Sequence, residues 1–404
     1  MEFGPIFRAL LRNKGGAILI ALQIAVTMAI MVNSIAIMQQ RAASMARPSG
    51  LDEANTFTLT SINFASEADT RATYVSDLEL IRNTPGVVNA IGTNSFPLRG
   101  GGWSMGLQTE PGEDMSGTPA AIYFGDEHML ETFDVELIDG SNFTPEQVVF
   151  NDPDSSGWEP YAIITEALAN SLFPDEEGSV VGKTVYIDQN EPVEIVGIID
   201  QLQAPWQGWS DAVEHVFLTP LVRADGFSRY VVRTEPGQRE RLLADIEERL
   251  AAADKTRLIR SGETFDKTRA NAYLGDSSMI KILAFVVTLL TVITGLGIVG
   301  LASFNVSRRT RQIGIRRALG ASKAAIMQHF MVENFIISSI GVTVGAALAI
   351  GLNIAMVEMF NLTPMNWWII PIAMLTLWVV GQLAVSGPAR KATLITPSIA
   401  TRSG

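Results

Sequence analysis

Apolar residues along the chain gather into four long blocks, Gly16 to Met38, Met279 to Phe304, Glu333 to Val357 and Trp367 to Ser386. Each approaches or exceeds the roughly 20 residues a helix needs to cross the hydrocarbon of a bilayer, so four transmembrane helices are predicted. Lys281 and Glu333 stand near block ends, where a long side chain reaches the interface. Between the first two blocks the period shortens. Thr56 to Phe64, Val87 to Ile91, Ala120 to Phe124, Ala162 to Thr165, Thr184 to Ile187, Val193 to Ile199, Val216 to Leu218 and Tyr230 to Arg233 read as strands. Glu67 to Arg82, with Tyr74, Leu78 and Ile81 on one face, reads as a helix. So do Glu166 to Leu172 and Gly237 to Ala253, the latter facing Leu242, Leu243, Ile246 and Leu250 inward. Gln201 to Asp211, with Pro205, Trp206 and Trp209, reads as a loop, and Gly100, Gly101 and Gly102 as a mobile one. The expected fold class is a membrane protein of four transmembrane α-helices with a large mixed α+β extracytoplasmic domain inserted between helices 1 and 2.

The expected boundaries follow. Residues 1–15 form an amphipathic cytoplasmic segment, with Phe3, Ile6, Phe7, Leu10 and Leu11 apolar and Arg8 and Arg12 free for headgroups. Helix 1 covers 16–38 with a stalk to about 47; residues 48–255 form the outer domain, in two subdomains of which the second covers about 140–220. A second stalk is expected over 256–278, interrupted at Gly275, then helix 2 at 279–304, a cytoplasmic segment at 305–329, helix 3 at 330–357, helix 4 at 367–386 and a tail at 387–404. Arg8, Arg12 and Lys14 also resemble the start of a secretory signal, and Ala42-Ala43-Ser44 a cleavage site. The apolar block between them exceeds a signal's usual ~7–15 residues, so an uncleaved anchor is expected.

Charge sharpens the picture. Gln39 to Ser278 holds 39 of the 42 acidic and 17 of the 30 basic residues, a net of −22, whereas the rest of the chain carries a net of +10. Arg8, Arg12, Lys14, the run from Arg308 to Lys323, Arg390 and Lys391 all flank helices on one side, which the positive-inside bias makes cytoplasmic. Both termini are then cytoplasmic and the acidic domain outside. That domain is a poor partner for nucleic acid, and its charge hints at neutral or basic cargo. Within the basic run, Ile313, Leu319 and, loosely, Ala318 are expected to share one helical face, with Arg311, Arg316, Arg317 and Lys323 spread over the others.

The chain has no cysteine, which excludes thiol catalysis and cysteine metal sites. His128, His215 and His329 show no metal-ligand spacing. Gly178-Ser179-Val180-Val181-Gly182-Lys183-Thr184 resembles a phosphate loop but is one residue short between its glycines and precedes a strand. Gly295, Gly297 and Gly300 imitate a dinucleotide fingerprint inside an apolar block, where close helix packing is the fitting reading, as it is for Gly341 and Gly345 continued by Ala349. Trp367 and Trp368 suit an interface anchor.

The run Arg309-Thr310-Arg311-Gln312-Ile313-Gly314-Ile315-Arg316-Arg317-Ala318-Leu319-Gly320-Ala321-Ser322, with Phe330 and Glu333 behind it, resembles the cytoplasmic segment of the MacB/FtsX-like ABC transporter permeases. Gly387-Pro388-Ala389-Arg390-Lys391-Ala392 with Thr396-Pro397 is similar to their C-terminal signature. Thr165-Glu166-Ala167-Leu168-Ala169 with Leu172-Phe173, Val181-Gly182-Lys183-Thr184, and Val193 to Gly197 resemble the MacB-type periplasmic core domain. Gln312 departs from the family's usual Glu and puts a salt bridge there in doubt.

The resemblance implies a non-catalytic permease subunit in a bacterial inner membrane that binds no cofactor itself. ATP and Mg would be held by an ABC ATPase dimer, expected as a separate polypeptide. Arg311, Gln312, Ile313, Gly314, Ile315, Arg316, Arg317, Leu319 and Gly320 would receive the ATPase's push and pass it to the outer domain. The partners implied are that ATPase, a second permease copy or related permease, membrane lipid, and in some members a periplasmic adaptor with an outer-membrane channel. The implied output is export or periplasmic extrusion of a peptide, lipid or small molecule. The alternative is ATPase-driven signalling to a periplasmic partner such as a cell-wall hydrolase.

Overall fold

The computed structural model describes residues 14–64, 70–112, 117–151, 158–188, 190–209, 212–224, 226–360 and 364–396. The segments 1–13, 65–69 and 397–404 lie outside the described residues, and with them the amphipathic segment, the start of the helix expected from Glu67 and the end of the tail. The chain divides into two compact units: Met1–Met45 with Gly275–Gly404, and Ala46–Leu274.

The first unit is helical. Among the described residues four helices are long and apolar enough to cross a membrane: α1 (Lys14–Met45), α7 (Leu274–Arg308), α9 (Lys323–Phe360) and α10 (Ile369–Thr393), with the short α8 (Thr310–Ala318) between α7 and α9. α1 lies at the centre of their packing, burying Ile20, Ile24, Met28 and Val32 against Val342 and Ala349 of α9 and Ala373 and Leu377 of α10. Polar side chains bind helix to helix where no water competes. Thr27 and Thr294 hydroxyls meet at 2.8 Å, Gln23 Nε2 donates to the Ile293 carbonyl, and Asn33 Nδ2 donates to the Ala349 carbonyl.

Small residues set the closest approach. A Cβ built on Gly341 would lie 2.8 Å from Ile24 Cβ, and one on Gly345 2.6 Å from Met28 Cβ, so the expected small-xxx-small contact is made, and made with α1. Gly297 is likewise covered, by the Gln23 side chain at 2.6 Å. Gly295 meets Val380 at an ordinary 3.7 Å, and Gly300 has nothing within 4 Å. Within this chain Gly300 lies off the narrow stripe of Thr294, Gly297, Ile298 and Leu301 by which α7 touches its neighbours, on the face that exposes Leu296.

The second unit is mixed α and β, as the alternating pattern predicts. One layer is a four-stranded sheet in the order β13-β1-β12-β2, made of β1 (Thr56–Asn63), β2 (Val87–Thr93), β12 (Phe227–Thr234) and β13 (Arg257–Thr264), every neighbouring pair antiparallel. With α2 (Thr70–Arg82) between β1 and β2, and α5 (Arg239–Ala253) between β12 and β13, the connection is that of a ferredoxin-like split βαβ unit. Its core joins Phe57, Leu59, Tyr230 and Val232 from the sheet to Tyr74, Leu78 and Ile81 of α2 and Leu242, Ile246 and Leu250 of α5. Those helical residues recur every three or four positions, which puts them on one face.

Everything between β2 and β12 is an insertion. Its main sheet has the order β5-β9-β7-β10-β4-β3-β8, with β9 pairing β8 as well, so six of its strands close on themselves. The strands are β3 (Trp103–Gln108), β4 (Thr118–Phe124), β5 (Leu137–Gly140), β7 (Tyr161–Thr165), β8 (Thr184–Ile187), β9 (Glu191–Ile199) and β10 (Val216–Thr219). β6 (Val149–Asn151) and β11 (Leu221–Arg223) form a separate ribbon; α3 (Met129–Phe133) and α4 (Glu166–Leu172) complete the layer. Closure leaves few exposed edges, and Leu107, Ile122, Ile164, Leu168, Val185, Ile195 and Phe217 fill the interior.

Three expectations change here. The second subdomain does not start near residue 140, because β3 and β4 already belong to the closed sheet. The stalk expected over 256–278 is not one: Arg257–Thr264 is the edge strand β13, Phe265–Ala272 is a short helix, α6, and α7 starts at Leu274. Charges made that stretch look solvated, yet most of them are paired. Arg269 bonds Glu53 and Arg239 bonds Asp266, tying the entering and leaving segments of the unit together. The triple-glycine loop is also tied down. Gly100 N donates to the Pro205 carbonyl at 2.9 Å, and Ser95 Oγ to the Gly101 carbonyl at 2.5 Å.

Candidate functional site

The basic run folds as a bend, a helix and a second bend. α7 ends at Arg308, α8 occupies Thr310–Ala318, and α9 begins at Lys323, so the segment between long helices is shorter than the 305–329 expected. α8 ends in a Schellman motif: Ala321 N donates to the Arg316 carbonyl at 3.0 Å, and Gly320 N to the Arg317 carbonyl at 3.2 Å. Gly320 stands at φ +95, a left-handed conformation that other residues resist. Ser322 then caps α9, its Oγ accepting from Ala325 N at 3.1 Å. Two turns of sequence thus reverse the chain with their backbone groups satisfied.

One residue anchors α8. Ile313, 5% exposed, packs with Val306 of α7, Ile326 and Phe330 of α9, and Ala389 and Ala392 of α10. Gly314 beside it is buried too. Leu319 is not on that face: it follows the helix and is 83% exposed, correcting the expectation that it shares a face with Ile313. Six positions separate the two, nearly two turns but not a whole number, so they diverge. Ile315, Leu319, Arg311, Gln312 and Arg316 all face outward, and Arg317 is half-buried. The outer face of α8 is therefore an apolar pair flanked by guanidinium groups.

Glu333 behaves differently from the expectation that it reaches an interface near a helix end. α9 starts ten residues earlier, and the carboxylate, 8% exposed, pairs with Arg309 Nη1 at 3.0 Å. A buried carboxylate is tolerated when a cation meets it. Gln312, where Glu was the usual residue, is exposed, so the ion pair of this region rests on Arg309 and Glu333 instead. Gly387 to Lys391 also departs from expectation, continuing α10 as helix with Pro388 inside it and Ala389 and Ala392 turned toward Ile313.

The described basic residues Lys14, Arg308 to Arg317, Lys323, Arg390 and Lys391 all occupy the same ends of alternating helices. α7, which leads into α8, is the least enclosed of the long helices within this chain, with 11% of its most apolar stretch buried against 44% for α1. A helix held by one narrow stripe can tilt at lower cost than one packed on all sides. Between α2, β12 and β13, sequence reading missed a second charged constellation: Arg257 Nη1 meets Asp77 Oδ2 at 2.5 Å, and Tyr230 OH donates to the same oxygen at 2.7 Å. Both charges are almost fully buried, and burial also holds the Tyr230 hydroxyl well above its ordinary range.

Against known proteins, the MacB-like periplasmic core domain family matches residues 17–249, and the FtsX-like permease C-terminal family matches residues 284–397. The chain is similar to the macrolide export ATP-binding/permease protein MacB of Azoarcus sp., 27% identical over 268 residues that cover 63% of this chain and 39% of the relative. It is similar to the uncharacterised ABC transporter permease YknZ of Bacillus subtilis, 24% identical over 266 residues that cover 63% of this chain and 64% of the relative. The chain thus spans 39% of the length of that MacB relative. The solved periplasmic region of MacB from Actinobacillus actinomycetemcomitans aligns with 57% of this chain and 97% of its own, at 16% identity and a TM-score of 0.35.

Proposed function

The chain belongs to the MacB/FtsX-like ABC transporter permeases, and from that premise we propose that α8 is the coupling element through which a partner ABC ATPase drives it. The observation that carries this reading is the division of labour on α8: Ile313 fixes it to three helices while Ile315, Leu319, Arg311 and Arg316 are presented outward. Apolar side chains among guanidinium groups suit a groove on another protein. ATP and Mg would bind the ATPase, and a push on α8 would pass through Arg309 and Val306 into the lightly held α7.

In this reading the basic helix ends face the cytoplasm of a bacterium and the acidic unit stands in the periplasm, with both termini inside. The outward apolar face of α7, including Leu289, Val292 and Leu296, is assigned to a second permease, a copy of this chain or a related one. The output is export or extrusion of a peptide, lipid or small molecule. Replacing Ile315 and Arg316 by Asp is expected to abolish co-purification of the ATPase while the chain still inserts in the membrane. Unchanged recovery of the ATPase with that double variant would overturn the assignment.

A further inference from the structure

His128 has no metal-ligand spacing in the sequence, and the fold gives it a different task. It immediately precedes α3, the short helix by which the insertion packs beside β2 and β12 of the four-stranded sheet. Its two ring nitrogens have different neighbours. Nδ1 lies 2.9 Å from Asn89 Nδ2 of β2, and Nε2 lies 3.6 Å from Glu127 Oε1. The same Asn89 Nδ2 donates to Glu131 Oε2 of α3 at 2.6 Å. One buried amide on the edge strand thus holds two residues of the α3 segment at once.

The state of the ring follows from Asn89. Its Oδ1 accepts from Ala90 N at 2.8 Å, which fixes the amide so that the two hydrogens of Nδ2 point at His128 and Glu131. Nδ1 is then an acceptor, so the imidazole is neutral and carries its hydrogen on Nε2, toward Glu127. An imidazolium has donors on both nitrogens, and at Nδ1 donor would face donor. On the same segment stand the carboxylates of Asp126, Glu127, Glu131 and Asp134. From α2, Arg82 pairs with Asp126, whose other oxygen accepts from His128 N. From β12, Arg233 pairs with Asp134 and Asp52 and donates to the Glu131 carbonyl. The loop after β5 brings Asn142, whose Nδ2 donates to the Glu127 carbonyl.

From the shared amide, the neutral ring and the carboxylate beside it, we propose that His128 is a proton-operated latch between the insertion and the four-stranded sheet. One proton adds at Nδ1 and no covalent bond between heavy atoms changes. The bond from Asn89 is lost, and the imidazolium takes as acceptor the Glu131 carboxylate, which is already bonded to that same amide nitrogen. Two bonds that cross from β2 to the α3 segment are exchanged for one ion pair inside that segment, between residues three apart. Arg82 and Arg233 are left as polar ties between α3 and the sheet side. Imidazole is the side chain whose charge changes between about pH 5 and 8. The ring is 35% exposed, so protons reach it from solvent without the fold opening. The latch lies within this unit and stands whichever way the coupling role of α8 is decided.

The test is amide hydrogen exchange, read by mass spectrometry on the full chain in phosphatidylcholine nanodiscs at about pH 7.5 and about pH 5.5, with rates corrected for the intrinsic effect of pH. Amides of α3 should exchange roughly 5-fold faster at the lower pH, the effect of losing one hydrogen bond, while those of α2 stay unchanged. His128→Gln keeps an acceptor for Asn89 and has no proton to gain, so it should abolish the difference. Glu131→Gln removes the carboxylate that the imidazolium captures and should shrink the difference to ~2-fold or less. The comparison on the unaltered chain decides the matter even where a variant folds poorly. Equal exchange of α3 at the two pH values, an equal rise in α2, or a difference that persists in folded His128→Gln would each overturn the proposal.

Discussion

Arg309, at the bend between α7 and α8, donates from Nη1 to Oε2 of Glu333 on α9 across 3.0 Å, so the least enclosed long helix is tied by charge to a better packed one. Removing one partner leaves the other buried and uncompensated. Glu333→Ala is expected to destabilise the detergent-solubilised chain by about 3 kcal/mol, and replacing both partners by Leu to recover much of that. Thermal unfolding of the single and double variants checks it; equal loss in both would show that the pairing is not what matters.

Gly345 and Gly300 make a matched pair of tests. A side chain at Gly345 would meet Met28 and the Ala25 backbone, whereas Gly300 is open. Gly345→Val should cost about 1–3 kcal/mol and separate α9 from α1, while Gly300→Val should leave the solubilised chain within ~0.5 kcal/mol. The difference in melting temperature between the two variants is the readout.

The Asp77, Arg257 and Tyr230 constellation ties α2 to β12 and β13. Asp77→Ala should destabilise the mixed unit by roughly 3–5 kcal/mol, because a buried guanidinium loses its counter-charge. Tyr230→Phe removes one hydrogen bond and should cost about 1 kcal/mol. Urea midpoints for the two variants rank them, and the reverse ranking would place the weight on the hydroxyl.

Three buried tyrosines, Tyr74, Tyr123 and Tyr230, have hydroxyls held above the ordinary value of 10.0. Desolvation is the main cause in each, with nearby Asp126 adding to it for Tyr74 and Asp77 for Tyr230. A group with a raised folded value contributes its full stability below the unfolded value and loses it as pH climbs beyond. Stability should therefore be flat in this respect up to about pH 9 and fall above pH 10, by up to about 1.4 kcal/mol per pH unit for each tyrosine. Tyr123→Phe should make that fall shallower, measurable as tyrosinate absorbance coinciding with unfolding.

The four long helices were legible because apolar length alone decides them, and strands such as β4, β7 and β10 were legible as short apolar runs, buried nearly throughout. β13 was not, since Arg257, Arg260 and Glu263 give it the composition of a solvated linker. The polar partners that admit it to the sheet, Asp77 among them, lie far away in sequence. Membership of the two sheets was equally hidden: β3 and β4 precede the boundary expected near residue 140, and hydrogen bonding to β8 and β10 places them. At the basic run, charge and spacing disclosed a helix, but only packing shows that Ile313 faces inward while Leu319 is displayed.

β1 and β13 are antiparallel neighbours, and Phe57 opposite Thr264 marks the end of the ladder where the chain both enters and leaves the sheet. Tension applied to both strands in one direction loads the sheet as a single body, with no bond asked to stretch before another. Tension that spreads them would instead unzip the ladder from that end, one rung at a time, reaching the irregular step between Thr58 and Thr60 after two rungs. The unit is thus stiff toward joint strokes and soft toward opposed ones.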